Sequence, residues 1–262
     1  NWCAEQPEYA HLLAPKNVAA TRKAREVLGK PKVKQDALLR EQLPAWFAAV
    51  RNIQNQTVAA YLQTVLLTGA RPGEILAMRW EDLNTQWRGL TIRDKVEGER
   101  VIPLTPYVAQ LLAALPRRNE WVFASTRTVS LDEKNIRRRE RRANEKGESL
   151  QLGEVVQASE SGHINEPRSH HGCACSVAGI EGLTLHGLRR SFKSLTEWLD
   201  CPAGVVAQIM GHKPSATAEK HYTVRPLDLL RIHHERIEAW ILEQAGVQFD
   251  AQAEPGRLRA VT

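Results

Sequence analysis

The sequence reads LHGLRRSF at residues 185–192, IMGHK at 209–213 and EKHYT at 219–223. These segments bring together proton donors, cations and a phenol, and the stretches between them have helical periodicity. They contain no pair of carboxylates and no glycine-rich loop of the kind that cradles phosphates. Such groups suit chemistry on a phosphodiester. We expect the rest of the chain to supply the missing partners of these segments or to pack behind them.

The composition is that of an ordinary globular protein with a basic bias. At 262 residues, the chain is long enough for one large domain or two modest ones, and its hydrophobic fraction of 42% is typical. The net charge of +6 favours a polyanionic partner. No apolar stretch has the length of a membrane span, no signal peptide is visible, and we expect the four cysteines to be reduced thiols of a cytoplasmic protein.

Two clusters of basic residues sharpen the charge argument. Each could be a solvated helix face or a linker, but the same chain carries a candidate phosphate-chemistry site, so we expect phosphate contacts from both. The first cluster is Arg22, Lys23, Arg25, Lys30, Lys32 and Lys34, and the second is Arg137, Arg138, Arg139, Arg141 and Arg142.

The first part of the chain predicts a linker followed by helices. Residues 1–35 are weakly amphipathic, end in the first basic cluster and begin without a methionine, so we expect the end of a truncated domain and an exposed linker. From Asp36 the apolar residues recur at helical spacing, with a break predicted at Pro44. A further helix is predicted to end near Thr68 and Gly69.

A new helix start is predicted at Pro72, which suits the first helical position and places Arg71 at a helix N-terminus. Anions are favoured there, and Arg71 would add a permanent positive charge. Glu74 lies in the first turn, where it could hold a guanidinium in place. An ordinary helix start with a surface arginine is the alternative interpretation.

The pattern then changes to that of β-strands. Residues 90–93 predict one strand, residues 97–98 a turn, residues 100–102 its antiparallel partner and residues 121–123 a short third strand. Lys95 lies near the end of the first strand, where spacing alone predicts only a solvated lysine.

The middle of the chain is the least regular part. Residues 130–147 predict a strongly basic helix that opens with a capping box, and no clear period follows over residues 148–182. The segment HHGCAC at 170–175 invites a zinc interpretation, but structural zinc sites usually space paired cysteines more widely and take a second pair from elsewhere. We therefore predict no metal and interpret residues 148–182 as a flexible surface insertion.

The C-terminal part returns to helices. Regularly spaced leucines and a phenylalanine give the helix that carries His186 and Arg189 a core side. Gly211 is a predicted helix end that leaves His212 at a helix C-terminus, although a histidine there is often only a cap. An apolar stripe over 227–241 predicts a final helix.

Taken in order, four motifs resemble the catalytic domain of tyrosine recombinases, the phage integrase family: ARPGE at 70–74, HGLR at 186–189, GH at 211–212 and HY at 221–222. The resemblance covers residues 36–246. It implies a mainly α fold with a small three-stranded antiparallel sheet, the fold of DNA breaking-rejoining enzymes. It also implies that residues 1–35 are the end of a core-binding domain and a basic linker. From the sequence itself, we expect residues 247–262 to be a C-terminal tail.

The resemblance implies a role for each matching residue. Tyr222 resembles the nucleophile that attacks the scissile phosphate, and the 3′-phosphotyrosyl bond stores the bond energy without a metal or ATP. Arg71 and Arg189 resemble the two arginines that clamp the non-bridging oxygens. Spacing alone does not distinguish Arg189 from Arg190, and the motif selects Arg189.

Four further residues receive roles from the same resemblance, three of them catalytic and one supporting. Lys95 matches the hairpin lysine that protonates the leaving 5′-oxygen, and His186 resembles the residue that assists removal of the phenolic proton. His212 resembles a hydrogen-bond donor to the phosphate. Glu74 resembles the carboxylate that orients the arginine, which is a supporting role.

The function that follows is a site-specific recombinase of a mobile element or prophage. A chromosome-dimer resolvase and a type IB topoisomerase-like enzyme are alternatives within the enzyme class, and the long insertion favours a mobile-element integrase. A catalytically inactive DNA-binding protein is the alternative outside that class, although the complete residue set favours an enzyme. A zinc-stabilised interaction module around Cys173 and Cys175 ranks last.

The expected partner is double-stranded DNA, with no cofactor and no membrane. We expect Arg22, Lys23, Lys30, Lys32, Arg137 and Arg138 to bind DNA. The resemblance implies a homotetramer on DNA that exchanges C-terminal segments after Trp240, a monomer without DNA, and an accessory DNA-bending factor as a further candidate partner.

Overall fold

A computed structural model describes residues 34–94, 98–125, 162–212 and 225–250, with the isolated positions 6, 8, 11, 12, 26, 27 and 141. The chain divides into two compact units, Asn1–Gln35 and Asp36–Thr262, and nearly all described residues lie in the second. The interpretation of residues 1–35 as the end of a core-binding domain, and of residues 247–262 as a tail, stays a prediction.

The described part of the second unit is mainly helical. The predicted break near Pro44 is the junction between a single 3-10 turn, Arg40–Gln42, and the first α-helix, in which Pro44 lies in the first turn. The α-helices are α1 (Leu43–Arg51), α2 (Gln56–Thr68), α3 (Pro72–Leu76), α4 (Pro106–Ala113), α5 (Arg168–Val177), α6 (Leu185–Thr196), α7 (Ala203–Met210) and α8 (Leu227–Gln244).

Within the described residues, three strands form one small antiparallel sheet in the order β1-β2-β3. They are β1 (Leu83–Asn84), β2 (Gly89–Asp94) and β3 (Gly98–Pro103), and the β2–β3 register pairs Ile92 with Arg100. The predicted fold class and the predicted hairpin are confirmed.

The predicted third strand at residues 121–123 is wrong. Trp121 forms an isolated bridge with Arg79 and receives its guanidinium over the indole ring, 4.6 Å from the ring centroid. The third strand is β1, whose two residues are too few to produce a period that a sequence can reveal.

Helix α2 is the centre of the core. Every residue from Thr57 to Thr68 is buried, not only the predicted apolar face, and α1, α4 and α6 pack around it. Two of its threonines form local hydrogen bonds: the hydroxyls of Thr64 and Thr68 donate to the carbonyls four residues earlier at 2.8 and 2.7 Å. This central helix ends at Gly69, next to the start of α3, and so positions the loop that carries Arg71.

The interpretation of residues 148–182 as a flexible surface insertion is wrong for its second half. Residues 168–177 form α5, which packs against α1 and buries His171, Ala174 and Cys175. These residues recur at helical spacing, but they are weakly hydrophobic, so the period carried too little contrast to predict a core helix. Residues 148–161, and the basic helix predicted over 130–147 apart from position 141, lie outside the described residues.

The C-terminal helices follow the prediction closely. In α6, the side chains of Leu188, Phe192 and Leu195 are fully or almost fully buried, which confirms its predicted core face. Helix α7 ends at Gly211, and α8 packs against β3 and α7. Among the residues that the structure describes, no helix combines the length and the apolar character needed to cross a membrane.

Candidate active site

Arg71 lies immediately before α3, and its extended backbone lets Pro72 take the first helical position as predicted. Its Nη1 donates to Glu74 Oε1 at 2.7 Å, and its backbone N–H donates to Glu74 Oε2 at 2.9 Å. The Glu74 side chain is only 6% exposed, whereas that of Arg71 is 38% exposed. A buried carboxylate in the first turn of α3 therefore fixes an arginine that reaches the surface.

A second arginine, Arg100 of β3, binds the same carboxylate. Its Nη2 donates to Glu74 Oε2 at 2.7 Å and its Nη1 to Glu74 Oε1 at 3.2 Å, which is a bidentate pair. Its Nε donates to the carbonyl of Ile209 in the last turn of α7 at 3.4 Å. The Arg100 side chain is 18% exposed.

The charge state of Glu74 follows from these contacts. Burial alone would raise the pKa of its carboxyl, but the hydrogen bonds from Arg100 and Arg71 together hold that pKa below its ordinary value. Glu74 is therefore ionised at neutral pH and can anchor both guanidinium groups.

The sequence interpretation missed Arg100. A signal was present, because Arg100 and Ile102 are two residues apart and therefore lie on the same face of β3. Arg100 also pairs across the sheet with Ile92, and both isoleucines are buried. An arginine on the inward face of a strand needs a carboxylate partner. The partner lies 26 positions away in the sequence, so that pattern alone does not identify it.

Arg189 reaches the same region from α6. The residue is buried, and its Nη1 donates to the carbonyl of Gly69 at 2.7 Å and to the carbonyl of Met210 at 2.8 Å. Both carbonyls belong to helix C-termini, where the last carbonyls lack intrahelical partners and the helix dipole is negative. The ends of α2 and α7 thus hold this guanidinium in one orientation.

His212 follows the left-handed residue Gly211, which ends α7 with φ +76° as predicted. Its backbone N–H donates to the carbonyl of Ala207 at 2.8 Å. Although His212 is largely exposed, its remaining burial is the main cause that lowers the pKa of its imidazole. The positive charges of Arg189, Arg71, Arg100 and Lys193 lower the pKa further, so the ring is neutral at pH 7.

His186 occupies the first turn of α6, one turn before Arg189, and is exposed. Thr184 caps this helix by accepting the N–H of Gly187 at 3.0 Å. The structure therefore places His186 on the same helix surface as Arg189, at the helix N-terminus.

Arg190, the neighbour of Arg189, has a different environment. Its Nε donates to Asp36 Oδ1 at 2.8 Å, and Asp36 Oδ2 accepts the hydroxyl of Thr184 at 2.5 Å. The backbone N–H of Leu38 donates to Ser191 Oγ at 2.7 Å. The first residues of the second unit are thus attached to the N-terminal half of α6.

Several predicted site residues belong to segments that the structure does not describe. Lys95 follows Asp94, the last residue of β2, and Tyr222 lies in the sequence between His212 and Arg225. Both lie outside the described residues, as do the predicted DNA-binding residues Arg22, Lys23, Lys30, Lys32, Arg137 and Arg138.

The zinc interpretation gains no support from the geometry of α5. His171 and Cys175 point into the core with Nε2 and Sγ 3.4 Å apart, whereas His170 and Cys173 are exposed. Burial lowers the pKa of His171 to about 4 and raises that of Cys175 to about 11, so both are neutral core residues at pH 7. No group of three or more His, Cys, Asp or Glu side chains suited to a metal occurs in the described part of the chain.

Comparison with solved structures identifies the fold. The integrase from mycobacterium phage Brujita is 20% identical, with a TM-score of 0.51, and the match covers 85% of this chain and 70% of that one. A lambda integrase tetramer bound to a Holliday junction is 19% identical, with a TM-score of 0.50, and the match covers 78% of this chain and 53% of that one. The helical body with its small antiparallel sheet is the fold of tyrosine recombinase catalytic domains.

The sequence comparisons identify the family. The model of the phage integrase family matches residues 37–226. Prophage integrase IntF of Escherichia coli strain K12 is 44% identical over 254 residues, which cover 94% of this chain and 47% of that protein. The chain therefore belongs to the phage integrase family, and it spans about half the length of this curated relative.

Proposed function

We propose that the protein is a site-specific DNA recombinase of a mobile element or prophage, which cuts and rejoins DNA through a 3′-phosphotyrosyl intermediate. The observation that carries this proposal is the convergence of Arg71 and Arg189 near His212, where Arg100 binds both Glu74 and the end of α7. Oriented guanidinium groups around a neutral donor form a site for a phosphate. The family, and relatives that are named integrases, support DNA as the source of that phosphate.

In the proposed reaction, the phenolic oxygen of Tyr222 attacks the scissile phosphorus and the bond to the 5′-oxygen breaks. His186 assists removal of the phenolic proton, and Lys95 delivers a proton to the departing 5′-oxygen. The phosphate stays on Tyr222 as a diester. Attack by a 5′-hydroxyl, from the same strand or another, reverses the step and rejoins DNA without ATP.

The arginines act on the charge that develops during this attack. The transition state concentrates negative charge on the non-bridging oxygens, which planar guanidinium groups match. Arg71 is held by Glu74, and Arg189 is held by the carbonyls of Gly69 and Met210. Because these contacts fix the guanidinium groups in place, the groups need little reorganisation when the phosphate arrives.

His212 supplies a neutral hydrogen-bond donor beside the cations. A lowered pKa keeps its imidazole uncharged at neutral pH. In that form one ring nitrogen carries a proton and can donate it to a phosphate oxygen as a hydrogen bond. We therefore propose that His212 binds the phosphate through a hydrogen bond and adds no permanent positive charge to the site.

The proposed partners follow from the proposed recombinase function. We infer binding to duplex DNA through Arg22, Lys23, Lys30, Lys32, Arg137 and Arg138, assembly as a homotetramer on two DNA sites, an accessory DNA-bending factor and a cytoplasmic, nucleoid-associated location. In the described part, Leu242 and Val247 are buried and Phe249 packs edge-on against Tyr107, 5.1 Å between ring centroids. The exchange between subunits is proposed for the residues after Trp240, and it would transfer these contacts from one subunit to its neighbour.

The test is a suicide-substrate assay on the complete gene product. The probe is a nicked duplex that spans the junction between the carrying element and its flanking DNA, incubated in EDTA. The nick releases a short fragment after cleavage, so the covalent adduct accumulates and shows on a denaturing gel. We expect an adduct with the wild-type protein and none with Tyr222→Phe, which should still bind. Binding by the wild-type protein without an adduct would support the inactive DNA-binding alternative instead.

A further inference from the structure

We propose that Arg100 is a positioning residue of this site, which fixes the Glu74 carboxylate and the Gly211–His212 corner relative to each other. The inference rests on the proposed strand-cleavage function. Through Glu74, Arg100 sets the orientation of Arg71, and through the end of α7 it sets the position of His212. Arg100 thus acts on the phosphate through other residues.

The hydrogen bonds of Arg100 join two separate elements. Two of its nitrogens bind the oxygens of Glu74 in α3, and the third binds the carbonyl of Ile209 in α7. The carbonyl of the next residue, Met210, accepts from Arg189. Two consecutive carbonyls at the end of α7 are therefore held by two guanidinium groups, immediately before Gly211 and His212.

The packing around Gly211 supports the same role. A Cβ atom built on Gly211 would lie 2.6 Å from Cζ and 2.7 Å from Nη1 of Arg100, which is closer than real contacts allow. Gly211 also has a φ of +76°, which side chains rarely adopt. Glycine thus ends α7 and leaves the space that the Arg100 guanidinium occupies.

Arg100 also changes the electrostatics at His212. The charged groups of the described residues that act on this imidazole are Arg189 and Lys193 of α6, Arg71 before α3, and Arg100 of β3. Removing the Arg100 charge removes one of the causes that lower the pKa of His212. Arg93 of the neighbouring strand is not among the charges that lower this pKa.

The first experiment measures this titration in the free protein, by NMR of labelled histidines with the His212 signal assigned from a His212→Gln variant. We expect the pKa of His212 to rise in Arg100→Gln and to stay near the wild-type value in Arg100→Lys, which keeps the charge. Arg93→Gln is the matched control, because Arg93 lies on the neighbouring strand and pairs with Glu81 and Asp82 instead. An unchanged His212 titration in Arg100→Gln would overturn the proposal.

The second experiment measures single-turnover cleavage of the nicked duplex at saturating protein. We expect Arg100→Gln to slow cleavage by about 10- to 100-fold with less than about 3-fold weaker binding, and Arg100→Lys to recover part of the rate. Because Arg100 acts partly through Glu74, the Arg100→Gln/Glu74→Gln double variant should lose less than the product of the two single losses. Equal losses for Arg100→Gln and Arg93→Gln would contradict the proposal.

The two experiments separate this inference from the proposed function. If the wild-type protein forms no covalent adduct, the strand-cleavage function fails, but the NMR titration still decides whether the charge of Arg100 acts on His212. If Arg100→Gln does not fold, Arg100→Lys keeps a cation opposite Glu74 and replaces it in the cleavage assay. If Arg100→Lys then cleaved DNA at the wild-type rate, the bidentate pair with Glu74 would not be required, and the proposal would be wrong.

Discussion

Arg189 donates an N–H to the carbonyl of Gly69 at 2.7 Å, across 120 positions of the sequence. Gly69 ends α2 in the left-handed conformation, with φ +61°. Phe192 lies one turn after Arg189 on α6, and its ring packs directly against the Cα of Gly69. A Cβ atom at Gly69 would lie 2.4 Å from Cδ1 of this ring. One glycine therefore serves the core and the candidate site together.

The first prediction concerns this glycine. Gly69→Ala should lower the free energy of unfolding by more than about 2 kcal/mol, because it adds a methyl group against Phe192 and strains a left-handed backbone. Gly73→Ala is the control, since Gly73 is in a helix and, beyond its chain neighbours and its own helix backbone, no atom lies within 4 Å of its Cβ position. Urea denaturation should find Gly73→Ala neutral or slightly stabilised. Equal stabilities of the two variants would refute this view of the α2 end.

The second prediction concerns Glu74, which accepts hydrogen bonds from both Arg71 and Arg100. Glu74→Gln keeps the size of the side chain but removes the charge, so the two guanidinium groups should lose their fixed positions. We expect single-turnover cleavage of the nicked duplex to slow by about 10- to 100-fold, with a smaller loss in DNA binding. Glu81→Gln changes an exposed carboxylate that pairs with Arg93 and should leave cleavage unchanged.

Most of the fold could be predicted from the sequence, because the helices have clear start and end signals. Pro72 begins α3, Gly69 and Gly211 end α2 and α7, and the apolar spacing of α6 marks its buried face. Each of these signals is local, so a pattern of a few residues is enough to predict it. Helix α5 was missed because histidine, alanine and cysteine form its buried face.

The contacts that assemble the site are not local. Arg100 and Glu74 are 26 positions apart, and Asp36 and Arg190 are 154 positions apart. Nothing in the spacing of either residue identifies its partner, because the pairing depends on how β3 and α6 pack against other elements. The family resemblance led to Arg71, Arg189 and His212, but it carried no information about Arg100.

The third prediction concerns Asp36 at the start of the second unit. Burial would raise the pKa of its carboxyl, but hydrogen bonds from Thr184 and Arg190 hold it below the ordinary value. Asp36→Ala removes these contacts at the start of α6 and should lower the free energy of unfolding by about 1–3 kcal/mol. Urea denaturation measures this loss. Asp200→Ala, at an exposed aspartate after α6, should change stability by no more than about 0.5 kcal/mol.

The pH dependence of the Asp36 contribution has a defined sign. A carboxyl whose pKa is lowered in the folded state stabilises the fold above its unfolded pKa, and that contribution is lost as the pH falls through the folded pKa. The difference in stability between the wild-type protein and Asp36→Ala should therefore shrink below about pH 4. A difference that grows on acidification would contradict the assignment of Asp36 as an ionised partner of Arg190.

The fourth prediction concerns Glu238 of α8, which is buried beneath the start of α4. It accepts the backbone N–H groups of Tyr107 and Val108 at 2.8 and 3.2 Å, and the hydroxyl of Thr105. Burial is the main cause that raises the pKa of Glu238 to about 7. The folded protein therefore retains this proton at pH values where the unfolded chain has lost it.

The stability of the protein should respond accordingly. Between about pH 4.5 and pH 7, the raised pKa of Glu238 makes the free energy of unfolding fall as the pH rises, by on the order of 3 kcal/mol in total. Glu238→Gln does not titrate, so its stability relative to the wild-type protein should improve over this range. Urea denaturation of both proteins at several pH values measures the trend. A constant difference between pH 5 and pH 8 would show that Glu238 does not titrate in this window.

The most direct measurement of the central proposal identifies the amino acid that becomes attached to DNA. The covalent adduct from the nicked duplex would be digested with trypsin and nuclease, and the peptide that carries the residual nucleotide would be sequenced by mass spectrometry. Trypsin does not cleave after Arg225, because Pro226 follows it. The predicted peptide is therefore HYTVRPLDLLR, residues 221–231, with a nucleotide joined through its 3′-phosphate to Tyr222. A nucleotide on any other residue, or no adduct from DNA that the wild-type protein binds, would contradict the proposed mechanism.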